Sequence, residues 1–315
     1  MKFNRFAKYA WGVLAFNLLV VVWGAYVRAT GSGAGCGSHW PLCDGQVIPQ
    51  APQIETIIEF THRLTSGFAF LLVLGLFIWA FRVYPKGHTV RLGASLAMFF
   101  IITEALVGAG LVLFEWVAGN ISVARVIVMA IHLINTHLLL ASITLVAWWA
   151  SGGERVRLKG QGADVWWWGS ALGGVLLMSM AGAVTALGDT LFPASSLAEG
   201  FQQDFAPTAH FLIRLRVWHP VFAVLVGFYL LFVVLWLGTL RSDGNIKRFA
   251  VALIMFYTLQ LSAGLLNLVL LVPVWMQLVH LFLADMVWIS LVLLVATTLG
   301  ESGAVSSSQE PLPAT

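Results

Sequence analysis

Charge is what this sequence has least of. Asp, Glu, Lys and Arg together make up 10% of its 315 residues, where a soluble domain carries about 25%. With 59% hydrophobic residues, 14 Trp, 21 Phe and a mean hydropathy of +0.89, that scarcity excludes a water-soluble domain and indicates a polytopic membrane protein. Cysteine is scarcer still: Cys36 and Cys43 are the only two, and the six residues between them exclude a thioredoxin-type Cys-x-x-Cys pair. A cleavable leader is not expected either. The first apolar run, Tyr9 to Ala29, follows a basic start but lacks a short apolar core ending in a small-residue cleavage site, so it is expected to be a retained helix.

What the sequence does have is eight apolar runs of bilayer length, at 9–29, 55–81, 92–114, 122–150, 166–187, 210–240, 249–271 and 273–298. Their separators alternate in charge. The N-terminus and the segments "RVYPKGHTVR", "GGERVRLKGQ" and "RSDGNIKR" hold twelve of the seventeen Lys and Arg, whereas the other loops hold Asp44, Glu55, Glu115, Asp189, Glu199 and Asp204. The positive-inside rule then predicts a multi-pass plasma-membrane protein with both termini cytoplasmic. Trp148, Trp149 and Trp166 to Trp168 flank a basic loop, where aromatic anchors belong. The polar tail 301–315 is expected to be disordered.

The two halves resemble each other. "VWGAYVRATGSG" aligns with "SMAGAVTALGDT", "EFTHRLTSGFAFLLVLG" with "RVWHPVFAVLVGFYLL", "TEALVGAGLVL" with "LQLSAGLLNLVL" and "MAIHLINTHLLLAS" with "QLVHLFLADMVWIS". The offsets are 158 for Gly24 to Gly182, 157 for His62 to His219, 156 for Glu104 to Gln260 and 148 for His132 to His280. Four helices per unit is an even number, so the repeat is parallel. The expected fold is an all-α integral membrane protein of eight transmembrane helices in two pseudo-symmetric four-helix bundles, 1–150 and 151–300.

Each half supplies one His from its second helix and one from its fourth: His62 and His132, then His219 and His280. All four reach similar depths below the outer surface at about 1.5 Å per residue. An ionisable group inside a membrane costs about 2.5 kcal/mol or more unless partnered, so four at matched positions indicate function. Zinc wants about four ligands, usually with Cys or carboxylate among them, whereas a haem needs up to two axial ligands and a slot between bundle helices. Two His per bundle suit one haem per bundle, near the outer face. His137 is the alternative to His132; five residues apart on one helix, the two cannot face one site, and depth favours His132. Five arginines, Arg28, Arg63, Arg125, Arg214 and Arg216, sit at outer helix ends against the positive-inside trend. They could bind haem propionates bidentately, or snorkel to the interface.

The halves also differ. One turn before the histidine of the second helix, the first half has Glu59 and the second has Arg216. A carboxylate there can exchange a proton or orient water, which makes Glu59 the catalytic candidate and the first half the reactive one. Glu104 is expected to be neutral or hydrogen-bonded in mid-membrane, and Asp285 has no counterpart in the fourth helix. Cys36 and Cys43 fall on the oxidising side, where a disulfide is expected, either as a staple or as a redox pair.

The motifs "TGSG…C…WPLCDG", "EFTHR", "RVWHP" and "VHLFLAD" together resemble the haem A synthase family over nearly the whole membrane portion. That resemblance implies oxidation of a methyl group of haem O to the formyl group of haem A, through hydroxylated intermediates, for cytochrome oxidase assembly. It implies that His62 and His132 flank the substrate haem in the N-terminal half, that His219 and His280 ligate haem b in the C-terminal half, and that Glu59 is the catalytic carboxylate. Many members carry a second cysteine pair in the later outer loop, which this chain lacks. Expected partners are haem O delivered by a haem O synthase, membrane lipid and an electron acceptor such as a quinone; no nucleic acid is expected, and a homo-oligomer stays open. The alternative is a diheme b-type electron-transfer protein linking quinone and the Cys36, Cys43 pair. 

Overall fold

The computed structural model describes residues 4–238 and 244–300. The tail 301–315 and residues 239–243 of one expected basic segment lie outside them. Among the described residues there is no strand, only two isolated bridges, Cys43 with Gln46 and Val156 with Gly300. Ten α-helices follow in order: α1 Arg5–Ala29, α2 Ile54–Val83, α3 Thr89–Leu113, α4 Val123–Ala150, α5 Asp164–Leu191, α6 Leu197–Phe205, α7 Phe211–Arg216, α8 Trp218–Gly238, α9 Gly244–Val269 and α10 Val274–Thr298. Eight spans are long and apolar enough to cross a membrane, with α7 and α8 making up one of them. They correspond to the eight apolar runs of the sequence.

Local chemistry starts and stops these helices. Asn4 Oδ1 accepts from the Ala7 amide at 2.7 Å and Ser122 Oγ from the Arg125 amide at 3.3 Å, capping α1 and α4. Gly87 and Gly152, with φ of 83° and 89°, make the tight turns after α2 and α4 that a residue with Cβ resists.

One expectation needs correction. The run 210–240 reads as a single helix, but the structure interrupts it at Val217. Pro220 has no amide hydrogen to give the Arg216 carbonyl, and Thr185 Oγ1 donates to that carbonyl instead, at 3.4 Å. The outer loop before it also contains α6, an added surface helix.

In the first half α1 packs on α2, α2 on α3, α3 on α4 and α4 back on α1; in the second, α5 packs on α8, α8 on α9, α9 on α10 and α10 back on α5. Between them α1, α4, α5 and α10 form the central seam, where the inner half of α10, including Val287, Leu291 and Leu294, is almost fully buried. At one end of the molecule the Asn4 amide bonds Ala150 O, Trp11 Nε1 bonds Ser151 Oγ, and the Arg157 amide bonds Leu299 O. The start of α1 and the ends of α4 and α10 therefore share one face.

Glycines let pairs of helices approach. Tyr257 Oη donates to Ala223 O at 2.6 Å, and a Cβ on Gly227 would lie 2.7 Å from the Tyr257 ring. Gly227→Ala is expected to destabilise by about 1–3 kcal/mol through overpacking, read as a lower thermal midpoint in detergent. Gly169→Ala on α5, where a Cβ meets nothing within 4 Å, should not lower it.

Candidate functional site

The four matched histidines lie toward the N-terminal ends of their spans: His62 eight residues after Ile54, His132 nine after Val123, His219 eight after Phe211 and His280 six after Val274. These positions correspond to about 9–14 Å along the helix axes. Each ring rests on a glycine of the preceding membrane span. A Cβ on Gly24 would lie 3.0 Å from His62 Cε1, on Gly108 4.0 Å from His132 Cε1, on Gly182 2.9 Å from His219 Cε1, and on Gly264 3.0 Å from His280 Cε1. At Gly24, Gly182 and Gly264 a Cβ would crowd the imidazole, whereas at Gly108 it would make an ordinary contact. The Nδ1 atoms of His62, His219 and His280 are buried without a hydrogen-bond partner, and that of His132 faces a carboxylate of the protein.

The second-half rings face each other with centroids 6.2 Å apart and planes at 86°. In the first half, His62 lies within electrostatic reach of His132 and Glu104. Glu104 Oε1 lies 3.3 Å from His132 Nδ1, and its carboxylate accepts hydrogen bonds from Asn135 Nδ2 and Thr136 Oγ1, each at 2.5 Å. Its counterpart Gln260 approaches His280 from the other ring nitrogen, Nε2 to Nε2 at 3.2 Å. Among the described residues no group of three or more His, Cys, Asp or Glu is arranged to hold a metal ion. The donor set is thus short of a protein-built zinc site and matches the two imidazoles that a haem takes from its protein.

His137 belongs to a different environment. It is 1% exposed, with Nδ1 against Leu133 O at 3.0 Å, Nε2 against Ser179 Oγ at 3.3 Å, and its own carbonyl bonded by Trp288 Nε1. Both of its ring nitrogens have partners in the central seam, unlike the four above. Asp285 is fully buried in α10 with neither oxygen hydrogen-bonded.

Glu59 is 3% exposed and fully engaged. Its Oε2 accepts from the Cys36 amide at 2.8 Å, and its Oε1 accepts from Arg63 Nε at 3.1 Å and Nη2 at 2.5 Å. Arg63 Nη1 donates in turn to His39 O and Leu42 O, so both charges clamp the Cys36–Cys43 disulfide loop onto α2. A cavity of about 480 Å³ opens beyond this loop, lined by Gly35, Asp44, Pro49 and Glu55, outward of the histidine rings.

The other arginines divide by how many donors remain. Arg28 bonds Ala186 O, Thr190 Oγ1 and Gln277 Oε1, each at 2.7 Å. Arg216 bonds Asp204, Asp189, Gly200 O and Gln203, closing the outer end of the second half. Arg125 gives Nη1 to Ala118 O and Asn120 O, but its buried Nε is unpartnered. Arg214, on the surface, donates to Pro207 O. In Arg63 and Arg216, then, the negative partner is a carboxylate of the protein itself. The sequence reading missed Gly108, Gly264, Asp189 and Gln277. The two glycines were recoverable, since they occupy matched places in "TEALVGAGLVL" and "LQLSAGLLNLVL".

The fold is that of a multi-pass helical membrane protein with eight candidate spans and a histidine in four of them beside a glycine of the preceding span. A family model described as cytochrome oxidase assembly protein, COX15-CtaA, matches residues 7–292, and the chain belongs to that family. Proteins named protoheme IX farnesyltransferase from two strains of Thermus thermophilus are 56% and 55% identical over 301 residues, covering 96% of this chain and 49% of theirs. A protein named heme A synthase from Shouchella clausii is 43% identical over 129 residues, 41% of this chain and 40% of its own. The chain thus spans about half the length of the Thermus relatives.

The clamp makes a test. Glu59→Ala should speed reduction of the Cys36–Cys43 bridge by dithiothreitol about tenfold, since two charge-assisted bonds and one amide bond holding the loop are lost. Timed thiol alkylation reads the rate, and an unchanged rate would mean the clamp does not hold the loop.

Proposed function

We propose that the chain is a haem A synthase, an oxidoreductase that converts a methyl group of haem O to the formyl group of haem A through hydroxylated intermediates. The observation that carries this reading is the set of four histidines, each beside a glycine of the preceding span, three with a buried unpartnered nitrogen and the fourth held by Glu104, in a member of this family. In it, residues 1–150 form the substrate-haem half and 151–300 the haem b half, two pseudo-symmetric bundles with the haems near the outer face and both termini cytoplasmic. His62 and His132 hold the substrate, and His219 and His280 hold haem b. Bound iron supplies the oxidising chemistry that no side chain provides.

The chain's own residues orient and protonate. Glu104 fixes the His132 ring from a carboxylate that is itself held by Asn135 and Thr136. Of the five arginines, Arg125 keeps a buried free donor, which suits a propionate best; Arg214 has surface access, while Arg28, Arg63 and Arg216 act through the protein groups they already bind. Glu59, one turn outward of His62, is the proton acceptor or water positioner, with Arg63 and the Cys36 amide setting its position. Haem O comes from a farnesyltransferase partner; the Thermus relatives, twice as long, bear that activity in their name. Electrons leave to an acceptor such as a quinone.

The direct bond from Glu59 to the Cys36 amide also favours a second reading, a diheme b-type electron carrier that links a quinone to the disulfide. Pigment extraction with mass analysis separates the two: haem A appearing only in cells with the protein supports the synthase, and unchanged pigments with altered thiol status support the carrier. Glu59→Gln should retain bound haem and stop product formation, and an active Glu59→Gln protein removes Glu59 from the chemistry. Gly182→Ala should lower haem absorbance per protein by displacing the His219 ring, while Gly12→Ala, with open space around it, leaves absorbance unchanged.

A further inference from the structure

Arg28 stands on the first half yet spends its hydrogen bonds on the second. It lies four residues, one turn, outward of Gly24, the glycine beneath His62. Its Nη1 reaches Ala186 O and Thr190 Oγ1 of α5, one and two turns outward of Gly182, the glycine beneath His219. Its Nη2 reaches Gln277 Oε1 of α10, one turn outward of His280. One guanidinium therefore ties together the turns immediately above three of the four ring sites.

The contact on α10 continues into a strained turn. Leu271 and Val272 both take left-handed backbone, with φ of 59° and 58°, a conformation that a β-branched residue adopts only where its surroundings enforce it. Gln277 Nε2 donates to Val272 O at 2.9 Å, and the Val272 amide bonds Asn267 O at 2.7 Å. Arg28 holds Gln277, and Gln277 holds the turn. Asp189 lies within electrostatic reach of both Arg28 and Arg216, so the second half's outer cap joins the same polar layer.

We infer that Arg28 is a positioning residue between the halves: by pinning the outer turns of α5 and α10, it sets how the His219 and His280 rings are presented to the group they hold. The role goes beyond the arginine's candidacy as a propionate ligand, and it rests on the haem reading only for the identity of that group. The planar fork serves α5 from one nitrogen and α10 from another, whereas an ammonium offers its three donors from a single nitrogen.

The test uses the full chain purified in detergent, carrying His62→Leu so that the second half alone contributes a haem signal. In it, Arg28→Met and Gln277→Leu should each shift the g values of the low-spin haem resonance at unchanged haem content. Their combination should shift it no further than Arg28→Met alone, and Arg28→Lys should restore only part of the wild-type signal. Hydrogen exchange gives a reading that needs no haem: the Val272 amide should exchange about tenfold faster in Arg28→Met. Wild-type g values and wild-type Val272 exchange in Arg28→Met would overturn the inference. Should Arg28→Met fail to fold, Gln277→Leu decides by the same two readings. A parent protein without any haem would instead refute the proposed function, and the exchange measurement would still decide on Arg28.

Discussion

An imidazole placed inside hydrocarbon must lie against something, and in this protein it lies against bare backbone. Packing a ring edge within about 3 Å of where a Cβ would stand is open only to glycine, and the sequence provides one at Gly24, Gly182 and Gly264, with a looser fit at Gly108. The rest of the site follows from this contact. His62, His219 and His280 each keep a buried nitrogen with no hydrogen-bond partner, a costly arrangement in a membrane unless something else accepts it. The four rings all stand within three turns of the N-terminal ends of their spans.

Around this common frame the halves have diverged in how their outer ends are tied. In the first, Glu59 and Arg63 neutralise each other and use their remaining valences on the disulfide loop. In the second, Arg216 takes the place of Glu59 and gathers Asp189 and Asp204 from the outer segment. Glu59, Arg63 and Arg216 thus each have an opposite charge within reach, which is the condition for keeping a charge buried. Where the first half has an acid and the second a base, the matching acids of the second half stand on α5 and α6.

The fold was readable because its signals are long and redundant. Eight apolar runs, alternating loop charge and a drift of a few residues between matched motifs leave few alternatives to a duplicated helical membrane protein. The histidine positions were readable by the same alignment. What stayed hidden depends on side-chain reach rather than pattern. Nothing in "VWGAYVRATG" says that Arg28 crosses to α5 and α10, nor does "EFTHR" tell that Glu59 accepts from the Cys36 amide. His132 and His137 could be ranked by depth alone; their different surroundings came from α5 and α10, which no local motif encodes. The split at Val217 was latent in Pro220, ten residues into the run 210–240, but an apolar run carries a proline as a kink as readily as a break.

That split gives the halves different mechanics. α2 is continuous from the clamp at Glu59 and Arg63 through His62, so it behaves as a rod: tilting the disulfide loop swings the imidazole below it. The second half has a joint at Val217, between the Arg216 knot and His219. Disturbance arriving from α6 is absorbed there as bending, and the ring beneath is isolated from it. The imidazole of the first half is thus joined to its disulfide loop by continuous helix, and His219 is joined to α6 across a break.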